Sequence, residues 1–307
     1  MSPSALRRLR ERLEVLSAQG LRRQLRVVET PCAPEVVVDG RSMLAFNSND
    51  YLGLAHHPQV TEALREGVRL YGVGSGASHL ISGHYQSHAR LEERLAALQA
   101  EHIPDARALY FCTGYMANLA VIGALVDVDR DHCQVFSEAL NHASIIDAIR
   151  LSQATCQIYP HGDVAALAAL MERSTARHKL VVTDSVFSMD GDVAPLAELL
   201  ALCERHDAML VVDDAHGFGV LGEHGHGILE CLGLRSERLV YMGTLGKAAG
   251  VSGAHVAAHR DIVEWMVQRA RSYIYTTAAA PALAHALLTS LDLITGAEGR
   301  ARRDHLS

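Results

Sequence analysis

LVYMGTLGKAAGVSGA (residues 239–254) is an apolar run that breaks into a turn of small residues around a lysine. An unbroken apolar run of this length suits a strand covered on both faces. The turn then delivers Lys247 just beyond the strand's carboxyl end. Lysine is scarce here: of 28 lysine and arginine residues, only Lys179 and Lys247 are lysines. Arginine serves wherever positive charge alone is enough. A guanidinium stays protonated and forms no Schiff base, so a retained lysine marks a position that needs a primary amine. Lys179, in ARHKLVVTD, precedes an apolar run and reads as a solvated surface charge. Lys247 reads as the functional amine.

Upstream, VVDDAHGFGV (residues 211–220) is a second apolar run, ending in Asp213, Asp214 and, three residues on, His216. Further strand-like runs fall at residues 108–112, 133–136, 156–159, 180–183 and 255–258, and helical patterns at 87–100, 114–125, 163–173 and 194–205 separate most of them. This alternation predicts a mostly parallel central sheet flanked by helices, with right-handed crossovers. Such sheets bind ligands at the carboxyl ends of their strands. Ser188, Asp213 and Lys247 each follow a strand-like run, so one crevice can hold all three.

An amine, a strand-end carboxylate and a nearby imidazole are the parts of a pyridoxal 5'-phosphate site. There Asp213 would keep the pyridine nitrogen protonated, so the ring can accept the electrons of a carbanion; alternatively it caps the next helix. Asp214, adjacent on an extended chain, points the other way and is the structural partner. His216 can bond the cofactor's phenolic oxygen or simply tie its glycine-rich loop. FCTGYMANLAVIGAL (residues 111–125) reads as strand, turn and helix, with Gly114 at the helix start. Free N–H groups there suit a phosphate, though an ordinary glycine turn has the same pattern. His142, opening a helix in EALNHASIID, either stacks on a flat ring or caps. Thr244 either donates to the phosphate or caps its turn. GVGSGAS (residues 72–78) is a weak dinucleotide-like loop without the surrounding unit it would need. His224 and His226 lack the further ligands of a zinc site, so no metal is expected.

The composition fits one large domain plus part of another: 307 residues, 49% hydrophobic. A net charge of -7 argues against nucleic acid or an anionic membrane as the main partner. No apolar run reaches membrane-span length. The N-terminus lacks a signal-peptide core and reads from Ser4 as an amphipathic helix with Leu6, Leu9, Leu13 and Leu16 on one face. A hairpin follows, turning at Asp39-Gly40. The six scattered cysteines form no CxxC pair and read as mostly buried thiols of a reducing cytoplasm.

Taken in order, SNDYLGL, GSGAS, TGYMAN, NHAS, DSVFSMDGD, VDDAHGFGVLGEHG and GTLGKAAGVSGA resemble the α-oxoamine synthase family of fold-type-I pyridoxal phosphate enzymes. The resemblance runs from about Ser4 to the last residue. GSGASHLISG, DAHGFGV, GVSGAHV and IYTT are similar to the branch that makes a biotin precursor; the glycine C-acetyltransferase branch is the alternative.

The resemblance implies a cytoplasmic, PLP-dependent acyltransferase. It would condense L-alanine with a pimeloyl thioester, on coenzyme A or an acyl carrier protein, with loss of carbon dioxide. Lys247 would carry the cofactor and move the α-proton, Asp213 would pair with the ring nitrogen, and His142 would stack on the ring. His216 and Ser188 would bond the phenolic oxygen region, while Gly114, Tyr115 and Thr244 would hold the phosphate. Thr277 would reach the phosphate of a neighbouring subunit in a homodimer with shared active sites. Arg22, or Arg23 if the register slips, would bind the acyl substrate, and Asn49 would line the site. Asp184 stands where the family often has glutamate. The implied domains are an N-terminal segment (1–45), a large cofactor domain (46–285) and the start of a small C-terminal domain (286–307). The remainder of that small domain, with substrate-carboxylate contacts, would lie beyond the sequence. On that reading the 307 residues alone would bind cofactor but turn over weakly, or be a non-catalytic remnant. They would also expose the apolar face of Leu283, Leu287, Leu291 and Ile294.

Overall fold

The computed structural model describes residues 5–307, in two compact units, Met1–Asn47 and Ser48–Ser307. The first holds the helix Ala5–Ala18 and a hairpin of β1 (Glu35–Val38) and β2 (Arg41–Leu44). Ser4, where the expected helix begins, lies outside the described residues. The helix forms, but none of its residues is buried. Asp39 and Gly40 both take positive φ (49° and 72°), the geometry of a two-residue hairpin turn.

The second unit is built on a seven-stranded sheet of β3 (Ala106–Phe111), β4 (Cys133–Glu138), β5 (Thr155–Tyr159), β6 (His178–Asp184), β7 (Ala208–Asp213), β8 (Leu239–Thr244) and β9 (Ala254–His259). Its order is β3-β9-β8-β7-β6-β4-β5. Pairings from β8 through to β5 are all parallel. β9 runs antiparallel to both neighbours, so the sheet is mostly parallel, as expected. Alternate residues of one strand enter different apolar layers. Val181, Leu210, Val212 and Leu239 pack on one side; Leu180, Val182, Val211 and Val240 pack on the other. Burial on both faces is why these strands read as unbroken apolar runs. Each such side chain contributes about 1.5–3 kcal/mol.

The register fixes the site. Asp184 of β6 lies level with Asp213 of β7, and Thr244 of β8 lies level with Ala254 of β9. The carboxyl ends of the parallel strands therefore share one edge of the sheet.

Two expectations need correction. Leu287, Leu291 and Ile294 are fully buried. Their helix, Pro281–Thr295, packs against Pro58–Tyr71 and Gln86–Gln99. Gly67 allows that approach, since a Cβ there would lie 2.9 Å from the Ala282 Cα. The covering helices come from distant sequence, so local pattern did not reveal them. Arg303 is also buried, donating to the Ile294 and Glu223 carbonyls at 2.7 Å each. Of the six cysteines, all free, only Cys133 and Cys203 are buried. Cys156 fails because β5 is an edge strand whose alternate residues face outward.

Candidate active site

Lys247 sits in the turn joining β8 to β9. Leu245 N–H donates to Gly253 O at 2.8 Å and Gly250 N–H to Lys247 O at 2.8 Å. Gly250 has a φ of 68°, and a Cβ there would strike the Leu54 backbone at 2.4 Å. The small residues therefore let the turn press against residues 54–55 and fix the lysine's root.

The lysine Nζ lies 2.6 Å from His216 Nε2, and His216 Nδ1 lies 2.7 Å from the Tyr51 hydroxyl. Tyr51 donates its own proton to Asn49 Oδ1 at 3.2 Å. The direction of the chain follows. With the hydroxyl proton on Asn49, His216 Nδ1–H donates to Tyr51, and Nε2 accepts from Lys247. Burial, then the charges of Lys247 and His142, hold the His216 imidazole down at about 4, so it stays neutral. Burial also lowers the lysine below its usual range, against the pull of Asp213 and Asp184. The result is an amine disposed to lose its proton.

Asp213 is buried at the end of β7. Its Oδ2 accepts Asn118 Nδ2–H at 2.8 Å and its Oδ1 accepts Ala215 N–H at 3.0 Å. Asn118 also donates to Ser144 Oγ at 2.9 Å. Ser144 Oγ lies 2.7 Å from His142 Nδ1, to which its backbone N–H also donates at 3.2 Å. With donors converging on Nδ1, His142 carries its proton on Nε2. Asp184 Oδ2 accepts the His142 backbone N–H at 2.7 Å. Burial, and secondarily Asp213, push Asp184 up to about 8. Burial raises Asp213 as well, opposed by its Asn118 and Ala215 bonds and by Lys247.

Asp214 turns away, as expected. It accepts from Ser185 Oγ, from Ile228 N–H at 2.8 Å and from the Tyr241 hydroxyl at 2.8 Å. Gly217 and Gly227 leave room for it: a Cβ at either would sit 2.1 or 2.2 Å from its oxygens. It is a structural hub behind the sheet edge.

At the end of β3, Thr113 caps the helix Gly114–Val126, its Oγ1 accepting Met116 N–H at 3.1 Å. The N–H groups of Gly114 and Tyr115 have no intrahelical acceptor and form an anion-ready helix start. A Cβ on Gly114 would lie 3.9 Å from Thr244 Oγ1, so the β8 threonine borders this helix start. Thr244 Oγ1 donates to Gly253 O at 3.2 Å.

The other expected residues are placed as follows. Ser188 is exposed in a loop closed by a bridge between Val186 and Val193; the buried serine after β6 is Ser185. Thr277 is exposed, its carbonyl 3.8 Å from Cys112 Sγ at the end of β3. Arg22 and Arg23 lie exposed in the Met1–Asn47 unit, where Arg22 Nη1 donates to Ser17 Oγ at 3.4 Å. Sequence reading passed over Tyr51, Asn118 and Ser144. SNDYLGL, TGYMAN and NHAS contain all three, but only pairing in space reveals that they orient His216, Asp213 and His142.

The donor set fits pyridoxal phosphate. A buried carboxylate whose surroundings penalise its charge matches a protonated ring nitrogen. An amine of lowered pKa suits carbonyl chemistry, and the helix start beside Thr244 suits a phosphate.

The chain belongs to the class I and II aminotransferase family, which it matches over residues 41–307. Within it, the chain is similar to 8-amino-7-oxononanoate synthases. That of Janthinobacterium sp. (strain Marseille) is 68% identical over 298 residues, 97% of this chain and 75% of the relative. Among solved structures, the 8-amino-7-oxononanoate synthase of Francisella tularensis superposes with a TM-score of 0.70 at 33% identity, covering 83% of this chain and 70% of that one. A lysine-to-alanine variant of serine palmitoyltransferase from S. paucimobilis, solved with a PLP–myriocin aldimine bound, gives 0.84 at 29% identity, covering 94% of this chain and 72% of that one. The fold and the branch expected from the sequence motifs stand, and the glycine C-acetyltransferase alternative is not favoured. No helix among the described residues is long and apolar enough to cross a membrane.

Proposed function

We infer that the protein condenses L-alanine with a pimeloyl thioester, releasing carbon dioxide and the free thiol, to form 8-amino-7-oxononanoate. The observation that carries this reading is the pairing of Lys247 with His216 at the sheet edge that also holds buried Asp213, in a chain 68% identical to such a synthase. Pyridoxal phosphate, when bound, stores the electron pair left on the substrate's α-carbon.

The remaining work belongs to the chain's own residues. Lys247 Nζ would hold the cofactor and, once released, would take the alanine α-proton; burial lowers its pKa and so favours the free amine. Neutral His216 accepts one N–H of that amine and so orients it. Asp213, held by Asn118 and Ala215, presents its carboxylate to the ring nitrogen. His142, held by Ser144 and Asp184, lays its imidazole on the ring. Gly114 and Tyr115 N–H groups with Thr244 would bind the phosphate, and Ser188, with His216 once its Nε2 has given up the amine, would serve the phenolic oxygen. We further propose a cytoplasmic homodimer in which Thr277 reaches the partner's phosphate. Arg22 would bind the pimeloyl carboxylate and Asn49 would line the site. The segments 1–45, 46–285 and 286–307 would act as N-terminal, cofactor-binding and C-terminal elements.

Competition decides the reading. The purified protein is offered L-alanine with pimeloyl-CoA or pimeloyl-acyl carrier protein, against glycine with acetyl-CoA. A carboxylate recognised through a charge-assisted hydrogen bond is worth about 1.5–3 kcal/mol, roughly ten- to a hundredfold in rate. A preference of that order for the pimeloyl substrates is expected; preference for glycine and acetyl-CoA refutes it.

A further inference from the structure

On the side of the molecule where residues 72–88 meet 278–281, three histidines converge that the reaction does not use. One ring nitrogen from each of His79, His84 and His88 lies within 4.8 Å of the others. His79 Nδ1 and His84 Nδ1 are only 3.0 Å apart. We propose that this cluster binds a borderline divalent cation such as Zn²⁺, which clips the 72–84 loop to the helix Gln86–Gln99.

The backbone builds the cluster. Residues His79–Gly83 form a single π-helical turn, whose wider step stacks residues five apart and so brings His84 under His79. Gly83 permits the turn, because a Cβ there would lie 2.1 Å from the Ala77 carbonyl. His88 follows one α-turn later on Gln86–Gln99. His79 and His88 are buried, while His84 leaves the cluster open to solvent on one side. The His79 ring is fixed by stacking on Tyr273, with centroids 4.6 Å apart and planes 9° apart.

The outer contacts suit ligation. His88 Nε2 lies 3.0 Å from the Ala279 carbonyl, so its proton sits there and its Nδ1 keeps a lone pair, now used by Tyr85 N–H at 3.0 Å. His84 Nε2 lies 3.7 Å from Glu92 Oε2. An acceptor on the distal nitrogen, as the Ala279 carbonyl is for His88, is what orients a metal-binding imidazole. Zinc–imidazole bonds of about 2.0–2.1 Å place neighbouring nitrogens on the order of 3.3 Å apart in a tetrahedron, near the spacing of His79 and His84. A cation there replaces the Tyr85 bond to His88 and the contact between His79 and His84; water from the open side completes the four ligands.

Co²⁺ is the spectroscopic probe and Zn²⁺ its competitor, both added to protein stripped with EDTA while retaining its cofactor. One Co²⁺ per chain should bind, with visible ligand-field absorption that Zn²⁺ displaces. His84→Asn and His79→Asn should each abolish those bands, while cofactor absorbance and the metal-free thermal midpoint of His84→Asn stay unchanged. Absence of the bands, or their persistence in both histidine variants, as would follow from binding at His224 and His226, overturns the proposal.

Discussion

Replacing Asp213 by asparagine keeps the shape of the site and removes its charge. The carboxylate accepts two hydrogen bonds, from Asn118 at 2.8 Å and from Ala215 at 3.0 Å. An amide has one acceptor oxygen, so one of these donors must face an NH₂ group. Leaving a buried donor unmatched costs about 1–3 kcal/mol. The electrostatic effect on the cofactor is larger. A carboxylate about 4 Å from a ring nitrogen, at an effective dielectric near 20, stabilises the protonated ring by about 4 kcal/mol. That is roughly three pKa units, so alanine α-proton exchange should fall on the order of a thousandfold. Cofactor occupancy should fall far less, since Lys247, Gly114, Tyr115 and Thr244 are untouched.

Deuterium exchange at the alanine α-carbon, followed by NMR, reads the first quantity, and cofactor absorbance reads the second. Exchange at the native rate with full occupancy would refute the reasoning and show that another group protonates the ring. A proportional loss of both would show that Asp213 chiefly builds the pocket.

Three more outcomes follow from the same geometry. Borohydride reduction of the loaded protein and peptide mapping should place the pyridoxyl group on Lys247; a label on Lys179 would sink the assignment. Asp214→Ala strands the Ser185 hydroxyl, Ile228 N–H and the Tyr241 hydroxyl together, so urea unfolding should show a loss of about 3–5 kcal/mol, the cost of breaking a buried polar network by removing one member. Asp184, raised from 3.8 to about 8, binds its proton more tightly when folded. Its contribution to the cofactor-free protein is therefore full below 3.8 and is lost as pH rises toward 8. Thermal midpoints across that window should fall less steeply in Asp184→Asn than in the native chain, and equal slopes would contradict the shift.

Much of this site was legible because strand ends are legible. Apolar runs gave all seven strands, β3 to β9, to within a few residues, and parallel pairing then forces the strands' carboxyl ends, with Asp213 and the Lys247 turn, to one edge. The scarcity of lysine leaves two candidates, and the small-residue turn beyond a strand singles out Lys247. The orienting residues were not legible, because their roles depend on pairings between elements. Asn118 lies on the second turn of its helix and reads there as an ordinary polar residue. Only when that helix packs against Ala143–Ser152 does its amide bridge Ser144 and Asp213.

The same limit explains the errors. An apolar helix near the end of a sequence looks uncovered until helices from residues 58–99 are folded onto it. A cysteine in a strand looks buried until that strand proves to be the edge. The two hydrogen-bonded chains, Lys247–His216–Tyr51–Asn49 and Asp213–Asn118–Ser144–His142, share a logic. In each, an acceptor fixed at one end decides which nitrogen of a distant histidine carries the proton. The first leaves His216 Nε2 free to take an N–H from the catalytic amine; the second leaves His142 with its proton on Nε2. The protonation states that the reaction needs are thus set by neutral side chains in SNDYLGL, TGYMAN and NHAS. Asn49, Asn118 and Ser144 are neither acids nor bases, and burial raises the Tyr51 pKa so that it keeps its proton, so none of the four stands out in the sequence as a group that moves protons.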